Sequence, residues 1–338
     1  MISYEDLQQQ LKQKGLTRSD LVTALGISSR TIAKIAKGEK LSPHTLGRIA
    51  AYLDCDPAVL CREVSTNAIL QVLRDEKAGR ISGGLYHELQ VRMTYNSNHI
   101  EGSKLTEDQT RLIFETNTID VGDGVPVDDI LETVHHFRAI DYVIDTAEEA
   151  LTEAIVKELH FILKHDTQDA RLPWFAVGDY KQRPNMIGGH ETVQPKDVPK
   201  RMKALLESYN AKATVTLEDI VAFHAAFEYI HPFQDGNGRV GRLIALKECL
   251  RHNIVPFLIE DAKKAYYYRG LAQWRDEPGW LMGTCQDGQD TFTRLLDALG
   301  DSPCVKATLQ ASSCRKHDII RHLTVWREPF RRFTWKPY

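Results

Sequence analysis

Residues 231–242 read His-Pro-Phe-Gln-Asp-Gly-Asn-Gly-Arg-Val-Gly-Arg, and this stretch says more about the fold than any other part of the chain. Gly236 and Gly238 permit the positive-φ backbone of a tight turn and let N–H groups approach a ligand. From Gly238 to Leu250 the pattern predicts a helix, whose free N–H groups and positive dipole end face back into the loop. The loop is therefore predicted to be an anion site, for which a phosphate is the natural occupant.

Charged side chains flank these glycines. Arg239 and Arg242 lie one turn apart at the start of the helix, so both guanidinium groups can reach a polyphosphate. Asp235 is a carboxylate suited to Mg²⁺, which proteins hold with few ligands besides the phosphates. His231 precedes the loop and can accept a proton from a hydroxyl, because its ordinary pKa is near neutral. The sequence lacks a Walker pattern and a βαβ setting, so neither a P-loop nor a dinucleotide fold is predicted.

The run matches the Fic-domain signature, His-Pro-Phe-x-Asp/Glu-Gly-Asn-Gly-Arg-x-x-Arg, at every specified position, so this part of the chain resembles a Fic domain. The resemblance implies an α-helical fold over about residues 85–285 and transfer of AMP from ATP to a protein hydroxyl. The roles that it implies are a general base for a Ser, Thr or Tyr hydroxyl (His231), a loop anchor (Phe233), a Mg²⁺ ligand (Asp235), contacts to the α-phosphate (Gly236, Asn237, Gly238) and contacts to the β- and γ-phosphates (Arg239, Arg242). Relatives that transfer a terminal phosphate, such as Doc toxins, carry lysine at the second glycine, so Gly238 favours nucleotidyl transfer.

The helical pattern is interrupted between residues 173 and 195, where glycines and prolines predict an irregular strand or hairpin. Its position resembles that of the Fic flap, a hairpin that clamps the backbone of the target by strand addition. A loose Gly-x-Tyr-x-x-Arg pattern assigns Gly178, Tyr180 and Arg183 to this flap. The alternative is a connecting loop that clamps nothing.

A second motif, Ser97-Asn98-His99-Ile100-Glu101-Gly102, resembles the inhibitory motif Ser/Thr-x-x-x-Glu-Gly/Asn of self-inhibited Fic proteins. Ser97 and Glu101 share one face of a helix, and Gly102 supplies the helix stop. The resemblance implies that Glu101 pairs with Arg242 in the space of the ATP γ-phosphate, so that ATP binds unproductively. Taken alone, the residues also fit a capping serine and a surface glutamate. In some relatives this glutamate supports removal of AMP, so deAMPylation stays open.

Residues 5–61 show short helices separated by glycine turns, and two of them form a helix-turn-helix pattern. The segment 21–35 resembles the Cro/C1-type family of phage repressors. The third short helix of residues 5–61 opens at Ser28. Its side chains that are suited to contact bases and phosphates are Ser28, Ser29, Arg30, Thr31 and Lys34. The alternative is a small helical domain whose basic face serves dimerisation or docking.

The composition agrees with a globular protein that joins unlike parts. The 338 residues are 42% hydrophobic and 26% charged, which excludes a disordered or fibrous chain. The net charge of −3 is the sum of unlike parts. Residues 1–62 carry nine Lys/Arg against six Asp/Glu, and residues 315–338 carry seven against two, so both ends are basic. The body between them is acidic and carries the remaining −11. The six cysteines contain no Cys-x-x-Cys pair, which predicts reduced thiols.

Together these patterns predict an all-α protein, in which a small helix-turn-helix domain precedes a helical Fic fold with a small β-hairpin flap. The predicted divisions are a DNA-binding domain (1–65), a linker (66–84), a Fic domain with its inhibitory helix (85–290) and a helical, basic tail without an assigned role (291–338).

The predicted function is a self-inhibited protein adenylyltransferase that uses ATP and Mg²⁺, and its partners are a target protein and DNA. The alternative is a DNA-binding transcriptional regulator whose Fic domain senses nucleotide. The sequence shows neither a signal peptide nor an apolar run of membrane-spanning length, so we expect a cytoplasmic protein without membrane contact. A homodimer is left open.

Overall fold

The computed structural model of the chain describes residues 2–36, 39–63, 67–120, 124–187 and 189–299. The chain divides into two compact units, Met1–Thr66 and Asn67–Tyr338, called here the amino-terminal unit and the catalytic-motif unit. Residues 300–338, which make up most of the predicted basic tail, lie outside the described residues.

The amino-terminal unit is a small helical bundle in its described part. Its elements are β1 (Ile2–Ser3), α1 (Glu5–Gln13), α2 (Arg18–Leu25), α3 (Ser29–Ala36), α4 (Pro43–Tyr52) and β2 (Arg62–Glu63). α2 ends at Gly26, which has a left-handed φ of +60°, and α3 begins three residues later. β1 pairs antiparallel with β2, so the two ends of the unit are tied together. Leu7, Leu21 and Leu53 are fully buried in a core that belongs to this unit.

The catalytic-motif unit is helical, apart from one hairpin among the described residues. Its helices are α5 (Ala68–Gly79), α6 (Leu85–Ile100), α7 (Glu107–Thr116), α8 (Val127–Asp145), α9 (Glu153–Lys164), α10 (Val198–Asn210), α11 (Leu217–Ile230), α12 (Asn237–Arg251), α13 (Lys264–Ala272) and α14 (Gly279–Leu299). The hairpin consists of β3 (Met186–Ile187) and β4 (His190–Glu191), which pair antiparallel. The predicted all-α class with a small hairpin is confirmed. None of the helices in the described ranges combines the length and apolar character that crossing a membrane requires.

α12 lies at the centre of the catalytic-motif unit. It contacts α6, α8, α9 and α11, and Val240, Leu243 and Ile244 are almost completely buried along its length. A helix that is buried on all sides cannot shift without disturbing several neighbours at once. The first turn of α12, with the loop before it, is therefore held on a rigid frame.

The predicted linker over residues 66–84 is wrong for most of its length, because α5 lies there. Ile69, Leu70 and Leu73 are buried in the main core of the catalytic-motif unit, and the Asn67 carboxamide oxygen caps the helix by accepting the Leu70 N–H at 3.1 Å. The packed core also extends beyond the predicted boundary at residue 290, because Phe292 and other residues late in α14 are buried in it. The apolar spacing of these short segments indicates helices, but it does not reveal which core they join.

Candidate active site

The motif loop connects α11 to α12 and is closed by its own side chains. His231 ends α11 with a left-handed φ of +51°, and Gly236 caps α12 with a φ of +79°. The Asn237 Oδ1 accepts the Phe233 N–H at 2.8 Å, and its Nδ2 donates to the Phe233 carbonyl at 2.9 Å. Both ends of this buried amide are used within the loop. In this structure the Asn237 side chain therefore shapes the loop. The predicted contact of Asn237 and the loop amides to an α-phosphate stays a prediction.

Phe233 anchors the loop beneath the site. It is fully buried, and its ring stacks on the ring of His160 from α9, with centroids 4.0 Å apart and planes 4° from parallel. The Nδ1 of His160 accepts the N–H of Gly178 at 2.9 Å. Sequence reasoning missed His160, since its only signal is a histidine on an otherwise apolar face of a helix. It joins the motif loop to the segment that leads into the hairpin.

His231 lies partly buried at the start of the loop. Burial and then the nearby charge of Lys181 lower its pKa to about 4, so the imidazole is neutral at physiological pH. Lys181 is itself buried, and its Nζ donates to Asn185 at 2.8 Å and to Thr192 at 2.5 Å, on either side of the hairpin. Its backbone N–H donates to the Pro232 carbonyl at 2.8 Å. A neutral imidazole with access to the surface can accept a proton from a hydroxyl.

Asp235 lies next to two cations. Its Oδ2 is 2.7 Å from Nζ of Lys164 and 3.1 Å from Nη2 of Arg239, and Arg239 also pairs with Glu132. Burial alone would raise the pKa of the Asp235 carboxyl, but Arg239 and Lys164 together lower it well below its ordinary value. The side chain is nevertheless 49% exposed. Asp235 is therefore an ionised carboxylate with one face open.

Arg242 is buried and is bound by the second predicted motif. Its Nη2 donates to the Glu101 Oε1 at 2.7 Å and to the Ser97 carbonyl at 2.9 Å, while its Nε donates to the Ser97 hydroxyl at 3.0 Å. A Cβ placed on Gly238 would overlap the Glu101 carboxylate. Gly102 follows directly, with a φ of +104°. The structure therefore brings both predicted motifs together on one guanidinium group.

The residues present suit a metal ion that is held mainly by phosphates and water. Among the described residues no group of three or more His, Cys, Asp or Glu side chains is arranged to hold a metal. Asp235 offers a single ionised carboxylate beside the N-terminus of α12, where a phosphate would bind. Mg²⁺ commonly binds through one or two carboxylates together with substrate phosphates. The site therefore fits Mg²⁺ that arrives with a nucleotide.

Two family models match the chain. Residues 150–249 match the Fic/DOC family, and residues 6–62 match the Cro/C1-type HTH DNA-binding domain. The chain contains a Fic domain. A Cro/C1-type helix-turn-helix domain precedes it, so both predicted resemblances are confirmed.

Named relatives and one solved structure agree with the Fic domain. The protein adenylyltransferase Fic of Nematostella vectensis is 30% identical over 196 residues, which are 55% of this chain and 43% of that protein. The protein of the same name from Drosophila melanogaster is 28% identical over 190 residues, 54% of this chain and 37% of that protein. The chain therefore spans less than half of either relative. A Fic-domain-containing signaling protein from Bacteroides thetaiotaomicron matches with a TM-score of 0.52 and 27% identity, covering 73% of this chain and 93% of that one.

The hairpin of the Fic domain lies where the flap is predicted, but the three residues assigned to the flap come before it. Tyr180 is only 7% exposed and packs in the main core, and Gly178 lies against Phe161. The Arg183 guanidinium stacks over Trp174 at 4.4 Å. The short pattern therefore marks the base of the hairpin, and Tyr180 is too deeply buried to contact a target. On its first strand the hairpin exposes two apolar side chains, Met186 and Ile187.

The helix-turn-helix domain presents only part of its predicted recognition face as free side chains. The Ser28 hydroxyl accepts the Thr31 N–H at 3.2 Å and also shares a hydrogen bond with the Thr31 hydroxyl at 3.0 Å, so both side chains have a partner at the start of α3. Arg30 is exposed, and Lys34 is partly exposed on the last turn. The Ser29 side chain lies outside the described part of the chain.

Proposed function

We propose that the Fic domain is a protein adenylyltransferase, which transfers AMP from ATP to a Ser, Thr or Tyr hydroxyl of a target protein and is held inactive by Glu101. The observation that carries the proposal is a neutral His231 beside a helix N-terminus that also presents Asp235 and two arginines. The named relatives, both called protein adenylyltransferases, support the same chemistry.

In the proposed reaction, the His231 imidazole takes the proton of the target hydroxyl. The oxygen then bonds to the α-phosphorus of ATP while the bond from that phosphorus to the bridging oxygen breaks, and pyrophosphate leaves. The N–H groups at the start of α12 stabilise the charge on the phosphate oxygens. When bound, Mg²⁺ neutralises charge on the phosphates, with Asp235 as its protein ligand. The remaining work is positioning, which suits phosphoryl-group chemistry.

Inhibition follows from which group Arg242 binds. Its guanidinium group already holds the Glu101 carboxylate and the two Ser97 oxygens, so a γ-phosphate must displace Glu101 to reach it. We propose that ATP bound with Glu101 in place has its phosphates misaligned for attack. Since Glu101 keeps 29% of its side chain exposed, it can leave without the opening of the core.

Target binding is assigned to the hairpin. Met186 and Ile187 expose 64% and 45% of their surfaces, and a two-stranded hairpin has unpaired backbone groups on its outer edges. An extended segment of the target can pair with such an edge by strand addition. Hydrogen bonds from Lys181 and Asn185 connect this hairpin to the motif loop, so a clamped target would lie close to His231.

Transfer is tested with Glu101→Gly protein, a cell lysate and ATP that is labelled on either the α- or the γ-phosphate. AMP transfer predicts protein bands that carry the α label and lack the γ label, and no bands with Glu101→Gly/His231→Ala. Bands with the γ label would indicate phosphoryl transfer. The absence of both labels from a folded protein and a lysate of its own cells would contradict the proposal.

A second candidate function rests on the amino-terminal unit, whose α3 exposes Arg30. In this view the chain is a DNA-binding transcriptional regulator in which the Fic domain senses nucleotide. DNA affinity measured with His231→Ala protein, with and without ATP, separates the two functions. A change with ATP supports nucleotide sensing, since this variant cannot use His231 for transfer, and an unchanged affinity speaks against it.

A further inference from the structure

Lys164, the last residue of α9, extends its ammonium group into a set of carboxylates beside the motif loop. Its Nζ lies 2.6 Å from Glu132 Oε1, 2.7 Å from Asp235 Oδ2 and 3.4 Å from Asp169 Oδ2. The Lys164 side chain is only 3% exposed. The carboxylates thus take the place of the water that would otherwise solvate the ammonium group.

The three carboxylates come from separate segments: Glu132 from α8, Asp169 from the short turn after α9 and Asp235 from the motif loop. Among the described residues these three carboxylates are not arranged as a metal site of their own. Asp235 is the one that the proposed function assigns to Mg²⁺, a hard cation that prefers oxygen donors, and its Oδ2 is already paired with the ammonium group of Lys164. Arg239 supplies the second positive charge, because it pairs with both Glu132 and Asp235.

A lysine side chain carries a positive charge at physiological pH. The ammonium group of Lys164 lies 2.7 Å from Asp235 Oδ2, so its charge repels any other cation that approaches that oxygen.

We propose that Lys164 is a built-in counter-ion that competes with Mg²⁺ for Asp235 and keeps the metal out of the nucleotide-free site. The proposal rests on the role of Asp235 as the metal ligand, but it does not require AMP transfer. Free Mg²⁺ must displace an ammonium group that is tethered to α9, whereas Mg²⁺ on ATP also gains the helix N-terminus and the arginines as partners for the phosphates. Metal and nucleotide are then bound together or not at all.

The test measures metal binding without nucleotide or target. Mn²⁺ is titrated into nucleotide-free wild-type, Lys164→Met and Lys164→Gln proteins, and the free ion is followed by electron paramagnetic resonance. We expect the Kd for Mn²⁺ to fall at least about tenfold in both variants, because a like charge within 4 Å of the metal site is removed. Lys164→Arg keeps the charge and should bind Mn²⁺ as weakly as wild type.

Lys157→Met is the matched control. Lys157 also lies on α9, and its Nζ bridges two carboxylates, Glu153 and Asp179, at 2.8 Å each, neither of which belongs to the set around Lys164. Its loss should leave the Kd unchanged, and adding Asp235→Asn to Lys164→Met should remove the gain. An equal Kd in wild type, Lys164→Met and Lys164→Gln, or a gain that survives Asp235→Asn, would overturn the proposal. Circular dichroism melts show that each variant is folded, and the second variant covers a failure of the first.

Discussion

The guanidinium group of Arg242 donates a hydrogen bond to the Glu101 carboxylate at 2.7 Å, between residues 141 positions apart in the chain. Arg242 is 5% exposed at its side chain, and the hydroxyl and carbonyl of Ser97 take two further N–H groups. A buried guanidinium group requires such partners. Glu101 is the ionic partner among them, and it is also the more exposed residue of the pair, so it is the contact that a phosphate can replace.

Glu101→Gly should raise the rate of AMP transfer at least about tenfold, the effect of losing one charge-assisted contact of about 1.5 kcal/mol. The backbone at this position has a φ of −85°, which either residue adopts without strain. The measurement is incorporation of label from α-labelled ATP per unit time. Glu107→Gln, a change in an exposed glutamate on α7, should not alter the rate. Equal rates for wild type and Glu101→Gly would show that the pair does not inhibit.

Gly238→Ala should act through Glu101. A Cβ at this position would overlap the Glu101 carboxylate and lie 3.0 Å from Nη1 of Arg242, so the methyl group should push Glu101 away. In the Glu101→Gly protein this clash is absent, so Gly238→Ala should raise the free energy of unfolding by up to about 1 kcal/mol, because alanine favours a helix over glycine. Urea unfolding of the two single variants, the double variant and wild type gives the coupling, which we expect to be about 1 kcal/mol or more. Additive effects of the two changes would contradict the close approach.

The transfer rate of the Glu101→Gly protein should stay nearly constant as the pH falls from 7.5 to 5.5. Burial and then the charge of Lys181 lower the pKa of His231 to about 4, whereas an ordinary histidine would be about nine-tenths protonated at pH 5.5. Lys181→Met should move the acidic limb of the profile to higher pH. His231→Ala should reduce transfer about 10²–10⁴-fold, and His44→Ala in the amino-terminal unit should not. A midpoint near pH 6.5 would show that His231 is not shifted.

Buried neutral histidines should make the catalytic-motif unit less stable in mild acid. Burial first, and then the charge of Lys164, lower the pKa of His160 to about 3. In mild acid His160 is therefore protonated in the unfolded chain and neutral in the folded one. Stability from this residue is complete above about pH 6.5 and is lost as the pH falls. From pH 7 to pH 5, the free energy of unfolding measured with urea should fall by about 2 kcal/mol less in His160→Phe than in wild type. Identical slopes would mean that folding does not lower the pKa of His160.

Arg30→Ala and Lys34→Ala should each weaken DNA binding by the amino-terminal unit. Arg30 is exposed on α3, and Lys34 is partly exposed one turn later, so both can reach a phosphate or a base edge. Removal of a phosphate contact should reduce the dependence of log Kd on log salt by about one unit. Fluorescence anisotropy at several salt concentrations measures this dependence. Lys203→Ala, an exposed lysine in the other unit, should leave it unchanged, and equal losses in all three variants would indicate a net-charge effect.

Most helices of the catalytic-motif unit are predictable because a helix depends on the spacing of apolar residues within a few turns. The predicted helix from Gly238 to Leu250 agrees with α12 to within one residue at each end. The hairpin is also predictable, since glycines and prolines interrupt the pattern. α5 is missed because its twelve residues end in a loop-like run, and its burial depends on a core that is built elsewhere in the chain.

The candidate site also combines features set by neighbouring residues with features set by contacts between distant segments. The sequence alone determines the motif loop, its helix, the histidine, the aspartate and the two arginines, because their chemistry depends on residues that are neighbours in the chain. It cannot show that the Asn237 amide is hydrogen-bonded to the backbone of Phe233, or that His160 stacks beneath the loop. Nor can it show that Lys164 pairs with Asp235 and Glu132 with Arg239. Those contacts join residues from different helices, and only the packing of α8 and α9 against α12 brings their charges within a few ångströms of one another.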